Sequence, residues 1–379
     1  MKILLVGEYS RLHNSLKEGL IALGHEVHIK GLNDGFKNYP VDFKITRPLQ
    51  TGILKYVKLA LYKVTKFDLA SLITYLVFKK NSNEFKGYDV VQLINENAFL
   101  CAPYFEKKIL NTIFNNNKKT FLLSTGDDYI SNNFYYNNPK LISIFTPYFE
   151  KKIPKKGFIG SLKYLEKEYK NLHHFITTNI QGIISSDLDY HIPMQASGCK
   201  KYLGMVANPI NLDQIQYIEN RVEGKIKIFI GINSNTYYKK GIDIFEKILD
   251  RIELKYKDQI EIIKASNLPY QDYINLYNSS HILLDQMHAN DQGYNALEAM
   301  AKGKVVFTGA SPIFEKHYQL QKTVAIHAVP DIELMVQQLS TLIENPHLID
   351  EIGKQARTFI YKEHNYIQSA EKYLALWTL

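Results

Sequence analysis

A single carboxylate, Glu298, stands within a run of small and apolar residues, Ala296 to Ala301, that is typical of a helix packed closely on a sheet. Gly293 comes shortly before this run. The N–H groups at a helix start have no partner within the helix and lie at its positive end, so they suit an anion. A carboxylate about one turn further along can accept hydrogen bonds from ribose hydroxyls. The same pattern also fits an ordinary packed helix, so other parts of the chain must decide.

A lysine pair precedes a second predicted helix. Lys239 and Lys240 stand just before a helix predicted over Ile242–Ile252, and a strand is predicted over Lys227–Ile230. The loop predicted between these two elements also holds Gly231, Asn233 and Asn235. Amide side chains, free N–H groups and a lysine at a helix start are suited to binding phosphate. A plain surface turn is the alternative interpretation.

The elements that must position these residues alternate between strand and helix. Further along, the pattern predicts a strand over Ile260–Ile263, a helix over Tyr270–Asn278, strands over His281–Leu284 and Lys304–Phe307, and a mostly helical tail from Pro330. The chain also opens as a βαβ unit, with strands over Lys2–Val6 and Glu26–Lys30 around a helix over Asn14–Leu23. The loop after its first strand lacks the G-x-G-x-x-G dinucleotide fingerprint. Two such series predict an α/β protein with two doubly wound parallel sheets.

Polar residues directly follow three strands predicted in the first series. They are Glu8 and Tyr9, then Asn95 and Glu96, then Gly126, Asp127 and Asp128. Open α/β sheets bind ligands outside the carboxyl ends of their strands, so these residues are candidates for a ligand site. Ordinary loop chemistry is the alternative.

Length, charge and cysteine content narrow the class of protein. At 379 residues, two domains are expected. The net charge of +8 suits an anionic ligand, an anionic membrane face or nucleic acid. No aromatic and basic RNA motif or recognition helix stands out, so we expect no nucleic-acid partner. The two cysteines, Cys101 and Cys199, are far apart, which argues against a disulfide framework or a cysteine-based metal site and fits the cytoplasm.

A basic, tyrosine-rich helix is predicted within residues 50–80. Its lysines Lys55, Lys58, Lys63 and Lys66 share one side, and Ile53, Val57, Ala60, Leu61 and Val64 share the other. One interpretation is a helix whose lysines face solvent while its apolar side packs on a core. The other is contact with an anionic membrane surface.

Three segments of the second series carry a resemblance to a known family. Tyr238–Asp243 resembles a Lys-Gly-x-Asp segment, Tyr270–Asp285 resembles the helix and strand before a donor site, and Gly293–Val306 resembles a signature that ends in Leu-Glu-Ala-Met-Ala-x-Gly. The tail from Glu363 to Leu374 is similar to closing helices that cross back over the first domain. The family is the group 1 retaining glycosyltransferases, which use nucleotide sugars and have the GT-B fold of two Rossmann-like domains.

The resemblance implies a role for each matching residue. Glu298 should bind the ribose hydroxyls, the backbone of Gly293, Tyr294 and Asn295 should bind the diphosphate, and Lys240 should complete the charge. Gly126-Asp127-Asp128 resembles a turn that faces the donor sugar, so Asp127 joins Lys240 and Glu298 as a catalytic candidate. The implied domains are an acceptor-side domain of residues 1–211, joined by a last helix over 362–379, and a donor-binding domain of residues 212–361.

Two positions depart from the family pattern. Asn290, followed by Asp291, stands where a sugar-binding Glu is common, and Asn235 stands where an Arg is common. Lys239 is a candidate to replace that cation, and Asp285 or Asp291 to replace the acid.

The expected function is therefore sugar transfer from a UDP- or GDP-linked donor to a glycan or lipid-linked acceptor, in bacterial surface polysaccharide or glycoconjugate synthesis. We expect no metal and no cofactor, because the nucleotide sugar is a substrate. We expect a cytoplasmic location, with the inner membrane face as a further partner. A non-catalytic subunit that binds nucleotide or glycan is the alternative.

Overall fold

The computed structural model describes residues 1–33, 38–266, 268 and 270–379. The chain divides into two compact units. The first unit comprises Met1–Phe134, Gly160–Pro209 and Tyr366–Leu379, and the second comprises Tyr135–Ile159 and Ile210–Asn365. Each unit contains one sheet whose strand pairs are all parallel, so the predicted α/β class is confirmed.

The strands form a seven-stranded and a five-stranded sheet. In chain order they are β1 (Lys2–Val6), β2 (Glu26–Gly31), β3 (Phe43–Lys44), β4 (Val90–Leu93), β5 (Lys119–Ser124), β6 (Gly182–Ser185), β7 (Tyr202–Met205), β8 (Ile226–Ile232), β9 (Ile260–Ser266), β10 (Ile282–Leu284), β11 (Val305–Thr308) and β12 (Ile326–His327). The first sheet has the order β3-β2-β1-β4-β5-β6-β7, and the second has the order β12-β11-β10-β8-β9. Ile3 to Val6 are completely buried, as expected for a parallel sheet covered on both faces.

Helices connect the strands and cover both sheets. They are α1 (Leu12–Ala22), α2 (Gly52–Thr65), α3 (Leu69–Lys80), α4 (Pro103–Asn115), α5 (Tyr129–Asn137), α6 (Thr146–Phe149), α7 (Lys155–Leu162), α8 (Lys167–Asn179), α9 (Leu188–Ser197), α10 (Ile242–Tyr256), α11 (Tyr270–Ser279), α12 (Tyr294–Ala301), α13 (Pro312–His317), α14 (Ile332–Glu344), α15 (His347–Glu363) and α16 (Tyr366–Thr378). The last helix, α16, returns to the first unit and packs on α1. Gly19 permits this approach, because a Cβ there would lie 2.3 Å from the carbonyl oxygen of Tyr366.

The second unit is built around a core of isoleucine, leucine and phenylalanine from its sheet and from α10 and α14. Strand β8 pairs with β9 as far as Ile232, opposite Ser266. The prediction that this strand ends at Ile230 and that Gly231 lies in a loop is therefore wrong. Glycine at this strand position lets the Tyr273 ring approach closely, because a Cβ would lie 2.8 Å from its hydroxyl oxygen and the ring would have to shift.

The segment Tyr135–Ile159 lies inside the predicted first domain but belongs to the second unit. Phe145 packs against Phe158 at a centroid distance of 5.0 Å, and the segment is joined to α10 by an ion pair of 3.4 Å between Lys152 Nζ and Asp243 Oδ2. The predicted limits of the domains, at residues 211 and 361, stay a prediction.

Helix α2 has no buried residue. Ile53 and Val64 are 81% and 84% exposed, so the apolar side of this helix does not pack on the core. The first interpretation of the basic helix is therefore wrong, because periodicity shows that a helix has an apolar side but not what covers it. No helix in the described ranges is both long enough and apolar enough to cross a membrane.

Candidate functional site

Asp285 organises the carboxyl edge of the second unit's sheet. It follows β10, and its side chain is only 1% exposed. Its carboxylate accepts hydrogen bonds from Lys240 Nζ at 2.9 Å, Asn295 Nδ2 at 3.2 Å and Thr308 Oγ1 at 3.5 Å. The Lys240 side chain is 33% exposed, and an ammonium has three donors. Asp285 therefore fixes Lys240 beside the start of α12 while part of the ammonium stays accessible.

Helix α12 begins as the sequence predicts. Gly293 is its N-cap in extended conformation and provides no side-chain cap. The first N–H groups of the helix have no acceptor within it. Glu298 lies half-buried about one turn further on, and its carboxylate makes no hydrogen bond or ion pair with any described residue. The helix thus combines a start that suits an anion with an acceptor that suits hydroxyl groups.

The other donor-side candidates lie in the loop before α10. Asn233 and Asn235 are exposed, and Asn233 Oδ1 accepts a hydrogen bond of 2.9 Å from the Asn235 N–H. The Nζ atom of Lys239 lies 4.4 Å from the ring centroid of Phe158, a cation–π contact. Among these loop residues, the structure brings Lys240 to Asp285, while Asn233 and Asn235 form a surface turn.

The loop between β10 and α12 holds Asn290 and Asp291 in place. Asp291 is 2% exposed, and its carboxylate accepts a hydrogen bond of 2.8 Å from the Gln292 N–H. The carbonyl oxygen of Asn290 accepts one of 3.3 Å from Ser311. A Cβ at Gly309 would lie 2.4 Å from the carbonyl oxygen of Asp291, so only glycine allows this close packing.

His288 lies in the same loop and was not singled out from the sequence. It is 3% exposed, and neither ring nitrogen has a hydrogen-bond partner among the described residues. Burial lowers the pKa of this imidazole to about 4, so it is neutral at physiological pH. No spacing rule marks such a residue, because its isolation becomes visible only when the loop folds.

In the first unit, β1, β4 and β5 are neighbours, so the polar residues after them lie at one sheet edge. Asn95 Nδ2 donates to the carbonyl oxygens of Thr125, at 2.6 Å, and Asp127, at 3.0 Å. Gly126 has a φ of 70°, and a Cβ there would lie 3.5 Å from the Tyr9 ring. These contacts join the loops after the three strands into one cluster.

The carboxylates of this cluster have different environments. Asp127 is half-buried and accepts hydrogen bonds from Asn132 Nδ2 at 3.0 Å and Ser161 Oγ at 3.1 Å. Asp128 is 1% exposed and accepts one of 2.7 Å from the Ser131 N–H. Burial, with a smaller effect of Glu96, raises the pKa of Asp128 to about 6. Asp127 is therefore the more accessible of the two acids.

The remaining two carboxylates of the cluster are buried and bonded. Glu8 Oε2 accepts hydrogen bonds from the Asn14 N–H, at 2.8 Å, and Asn14 Nδ2, at 2.6 Å, which anchors the loop to α1. Glu96 is hydrogen-bonded to His173 Nδ1 and accepts a hydrogen bond of 3.2 Å from the Tyr129 N–H. Burial by itself would lower the pKa of His173, but the Glu96 carboxylate raises it above the ordinary value. The sequence did not predict this pair, since its members are 77 residues apart.

Solved structures of other proteins share this α/β fold with two parallel sheets. Sucrose-phosphate synthase from Thermosynechococcus elongatus aligns with a TM-score of 0.64 at 13% identity, over 100% of this chain and 98% of that chain. Anabaena HepE in complex with UDP and glucose aligns with a TM-score of 0.58 at 10% identity, over 100% of both chains. A putative UDP-N-acetylglucosamine 2-epimerase from Listeria monocytogenes aligns with a TM-score of 0.51 at 10% identity, over 99% of this chain and 95% of that chain. These identities show the fold alone, and that fold is GT-B.

A match to a protein family lies mainly in the second unit. Residues 237–375, which include Lys240 and Glu298, match a family model described as glycosyl transferase-like. No curated protein shows significant sequence similarity to the chain. The matched region and the GT-B fold together support the group 1 glycosyltransferase family and a transferase. The predicted group 1 family is thus supported, and the enzyme is favoured over the non-catalytic subunit.

Proposed function

We propose that this transferase moves a sugar from a nucleoside diphosphate sugar, UDP- or GDP-linked, to a glycan or lipid-linked acceptor. The observation that carries the proposal is the arrangement at the carboxyl edge of the second unit's sheet. Lys240 is held by Asp285, whose carboxylate also accepts a hydrogen bond from Asn295 at the start of α12, and Glu298 lies on that helix with an unused carboxylate. A phosphate site and a hydroxyl site on one short helix match the two halves of a nucleoside diphosphate.

The chemistry required of this site is mainly electrostatic. When the glycosidic bond to the donor phosphate breaks, negative charge develops on the departing nucleoside diphosphate. Donors that are already oriented toward that charge stabilise the transition state without reorganising. In the proposal, Lys240 and the N–H groups at the start of α12 do this, and Glu298 anchors the ribose. Gly231, Asn233, Asn235 and Lys239 stay candidates for further donor contacts.

The sugar half of the donor is proposed to lie near the loop that carries Asn290 and Asp291. Because the Asp291 carboxylate is buried against the Gln292 N–H, Asn290 is the better candidate for contact with a sugar hydroxyl. Its amide can both donate and accept a hydrogen bond. Retention of the anomeric configuration, and the independence of the reaction from metals and cofactors, are further parts of the proposal.

The acceptor is proposed to bind at the loop cluster of the first unit. Asp127 is the member best suited to contact it, since its carboxylate is half-buried and bonded to two neutral side chains. Glu8, Tyr9, Asn95, Glu96, Gly126 and Asp128 are proposed to shape the cluster. A lipid-linked acceptor is supported by α2, which exposes apolar side chains and carries four lysines within or directly after it, Lys55, Lys58, Lys63 and Lys66. Such a helix suits the surface of an anionic membrane at its cytoplasmic face.

Two comparisons support the choice of donor class. The HepE structure contains UDP and glucose, and the Listeria protein is named for a UDP-sugar substrate. The name of the Listeria protein also defines a control for the assay. An epimerase would convert a UDP-sugar into its epimer without transferring the sugar. A role in bacterial surface polysaccharide or glycoconjugate synthesis is the context that we propose for a lipid-linked acceptor.

The experiment is a donor screen with the purified chain. UDP-, GDP- and CMP-sugars are incubated without acceptor, and released nucleotide and sugar products are measured by chromatography. We expect slow release of UDP or GDP from one donor, with the released sugar first appearing in the anomeric form of the donor. Epimerised donor, release of CMP, or no release from any sugar of the three classes would contradict the proposal.

A further inference from the structure

An aromatic ring anchors the residue that precedes Lys240. The Nζ atom of Lys239 lies 4.4 Å from the ring centroid of Phe158. Phe158 is completely buried and packs against Phe145, at a centroid distance of 5.0 Å, and against Tyr148, at 5.2 Å. An ammonium over an aromatic ring is attracted by the negative face of that ring. The position of Lys239 is therefore tied to a packed aromatic cluster.

An ion pair anchors the chain on the other side of Lys240. Asp243 lies in the first turn of α10, and its Oδ2 atom is 3.4 Å from Lys152 Nζ. Lys152 also forms an ion pair of 2.9 Å with Glu150. Phe158 and Lys152 both belong to the segment Tyr135–Ile159 of the second unit. This segment therefore contacts the chain both before and after Lys240.

The loop between β10 and α12 makes a third contact with the same turn. The Met287 N–H donates a hydrogen bond of 3.0 Å to the carbonyl oxygen of Lys240. Gly241 has a φ of 72°, and a Cβ there would lie 3.1 Å from the Cβ of Met287. Asp285 holds the side chain of Lys240 through a bond of 2.9 Å to Nζ. A lysine that is fixed in this way loses little conformational entropy when it binds an anion.

We propose that Phe158 and Lys152 are positioning residues of the donor site, which hold the turn around Lys240 in the geometry that binds a diphosphate. The inference rests on the proposed function and gives the segment Tyr135–Ile159 a part in donor binding. The match to the glycosyl transferase-like family begins at residue 237, so it does not include this segment.

The expected effect follows from where the two contacts lie. Lys239 is one residue before Lys240, and Asp243 is three residues after it. If either contact is lost, the turn becomes more mobile, and the ammonium must be ordered when the phosphate binds. Ordering one long side chain on binding costs enough free energy to weaken binding about fivefold.

The test is a double-mutant cycle with the full chain, measured by isothermal titration with UDP and GDP and with their nucleosides. Phe158→Leu, which removes the ring but keeps an apolar side chain, and Lys152→Gln are each made in the native chain and in Lys240→Ala. In the native chain, we expect about fivefold weaker binding of the diphosphate and less than about twofold weaker binding of the nucleoside. In Lys240→Ala, titrated with millimolar ligand, we expect neither substitution to have an effect, because no ammonium is left to position.

Two further variants serve as controls for Lys152→Gln. Lys156→Gln should leave diphosphate binding unchanged, because Lys156 is exposed on α7 and its side chain makes no hydrogen bond, ion pair or ring contact with a described residue. Lys152→Arg keeps a cation beside Asp243 and should bind the diphosphate as the native chain does. Urea unfolding shows whether each variant is folded under the titration conditions. If Phe158→Leu does not fold, the lysine variants decide the test alone.

Three results would overturn the proposal. The first is an equal loss of diphosphate affinity with and without Lys240, because the contacts would then act only on the fold. The second is equal binding by Lys152→Gln and Lys156→Gln. The third is a weaker diphosphate complex for Lys240→Ala with no effect of Phe158→Leu or Lys152→Gln, in which case this inference fails and the proposed function stands. If Lys240→Ala itself has no effect on diphosphate binding, the proposed donor site fails as well.

Discussion

The ion pair between Lys240 and Asp285 makes a specific prediction about diphosphate binding. Lys240→Ala removes a cation from the proposed phosphate site and also uncovers the negative charge of Asp285, whose side chain is 1% exposed. The substitution should therefore weaken binding of the nucleoside diphosphate for two reasons. A second substitution, Asp285→Asn, removes the uncovered charge and should restore part of the affinity.

The magnitude follows from the geometry. A charge-assisted hydrogen bond to phosphate contributes about 1.5 to 3 kcal/mol, or roughly 10- to 150-fold in Kd. Asp285 lies 2.9 Å from Lys240 Nζ. With a phosphate oxygen about 2.8 Å beyond the ammonium, the two anionic groups are about 6 Å apart, and at an effective dielectric of about 20 they repel by about 3 kcal/mol. We expect Lys240→Ala to weaken binding at least 100-fold, and the double variant to recover about tenfold or more.

The assay is a double-mutant cycle measured by isothermal titration. The ligands are UDP or GDP, as selected by the donor screen, and the corresponding nucleoside. Lys247→Ala is the matched control, because Lys247 is exposed on α10 and its side chain makes no hydrogen bond, ion pair or ring contact with a described residue. The coupling energy between the two positions separates the repulsion by Asp285 from the loss of the cation.

Two results would refute this reasoning. If Lys240→Ala weakens the nucleoside and the diphosphate by the same factor, the phosphate lies elsewhere. If Asp285→Asn restores nothing in the Lys240→Ala background, although both variants remain folded, then Asp285 does not act on the bound phosphate. In that case the pair is only a structural contact between β10 and the loop before α10.

Three further predictions concern other parts of the chain. Glu298→Gln should weaken nucleoside binding about tenfold, by loss of a charged acceptor for the ribose hydroxyls, and leave pyrophosphate binding unchanged in titrations; an equal effect on both ligands would move the ribose elsewhere. Because burial lowers the pKa of His288 to about 4, the unfolded chain binds this proton more readily, so stability is lost as pH falls from about 6.5 toward 4. Urea unfolding should show that His288→Asn reduces the loss of stability between pH 7.5 and pH 5 by about 2 kcal/mol, while the buried His13, whose pKa is also lowered to about 4, keeps its own contribution in both chains; an unchanged loss would exclude His288 as a cause. Replacing Ile53, Val57 and Val64 by serine should abolish binding to anionic vesicles in flotation assays and change stability by less than about 1 kcal/mol, since all three are exposed; retained binding would exclude α2 as the membrane contact.

The sequence predicted the two α/β series because strands buried on both faces read as continuous apolar runs. Ile3 to Val6 and Ile282 to Leu284 are such runs, and both are fully or almost fully buried. Helix α12 was predictable for a similar reason, since its small residues mark close packing. The sequence prediction placed Gly231 in a loop, because a glycine inside a strand is unusual. The feature that suits a glycine at this strand position is the close approach of Tyr273, which comes from helix α11 and is not visible in the local sequence.

Contacts between distant segments could not be read from the sequence. Lys240 and Asp285 are 45 residues apart and meet only because two strand ends share a sheet edge. The same holds for Glu96 and His173, which join a strand end to α8. Spacing rules describe neighbours on one element, so they predicted candidate site residues but not the contacts between the side chains of distant segments.

Asn290 stands at the position where the family pattern expects an acid, and the carboxylates near it already have hydrogen-bond partners. The sequence offered Asp285 and Asp291 as replacements. Asp285 is bonded to Lys240 and Asn295, and Asp291 is bonded to the Gln292 N–H, so each carboxylate already stabilises the protein around the proposed site. A replacement acid in this loop would also place a second negative charge near the donor phosphates, without the arginine that the family pattern expects at Asn235. With Asn290, the loop has lost one negative charge and with Asn235 one positive charge, so the two departures balance in charge. We infer that the two departures are best understood together, because they remove one charge of each sign and leave a neutral amide at each position.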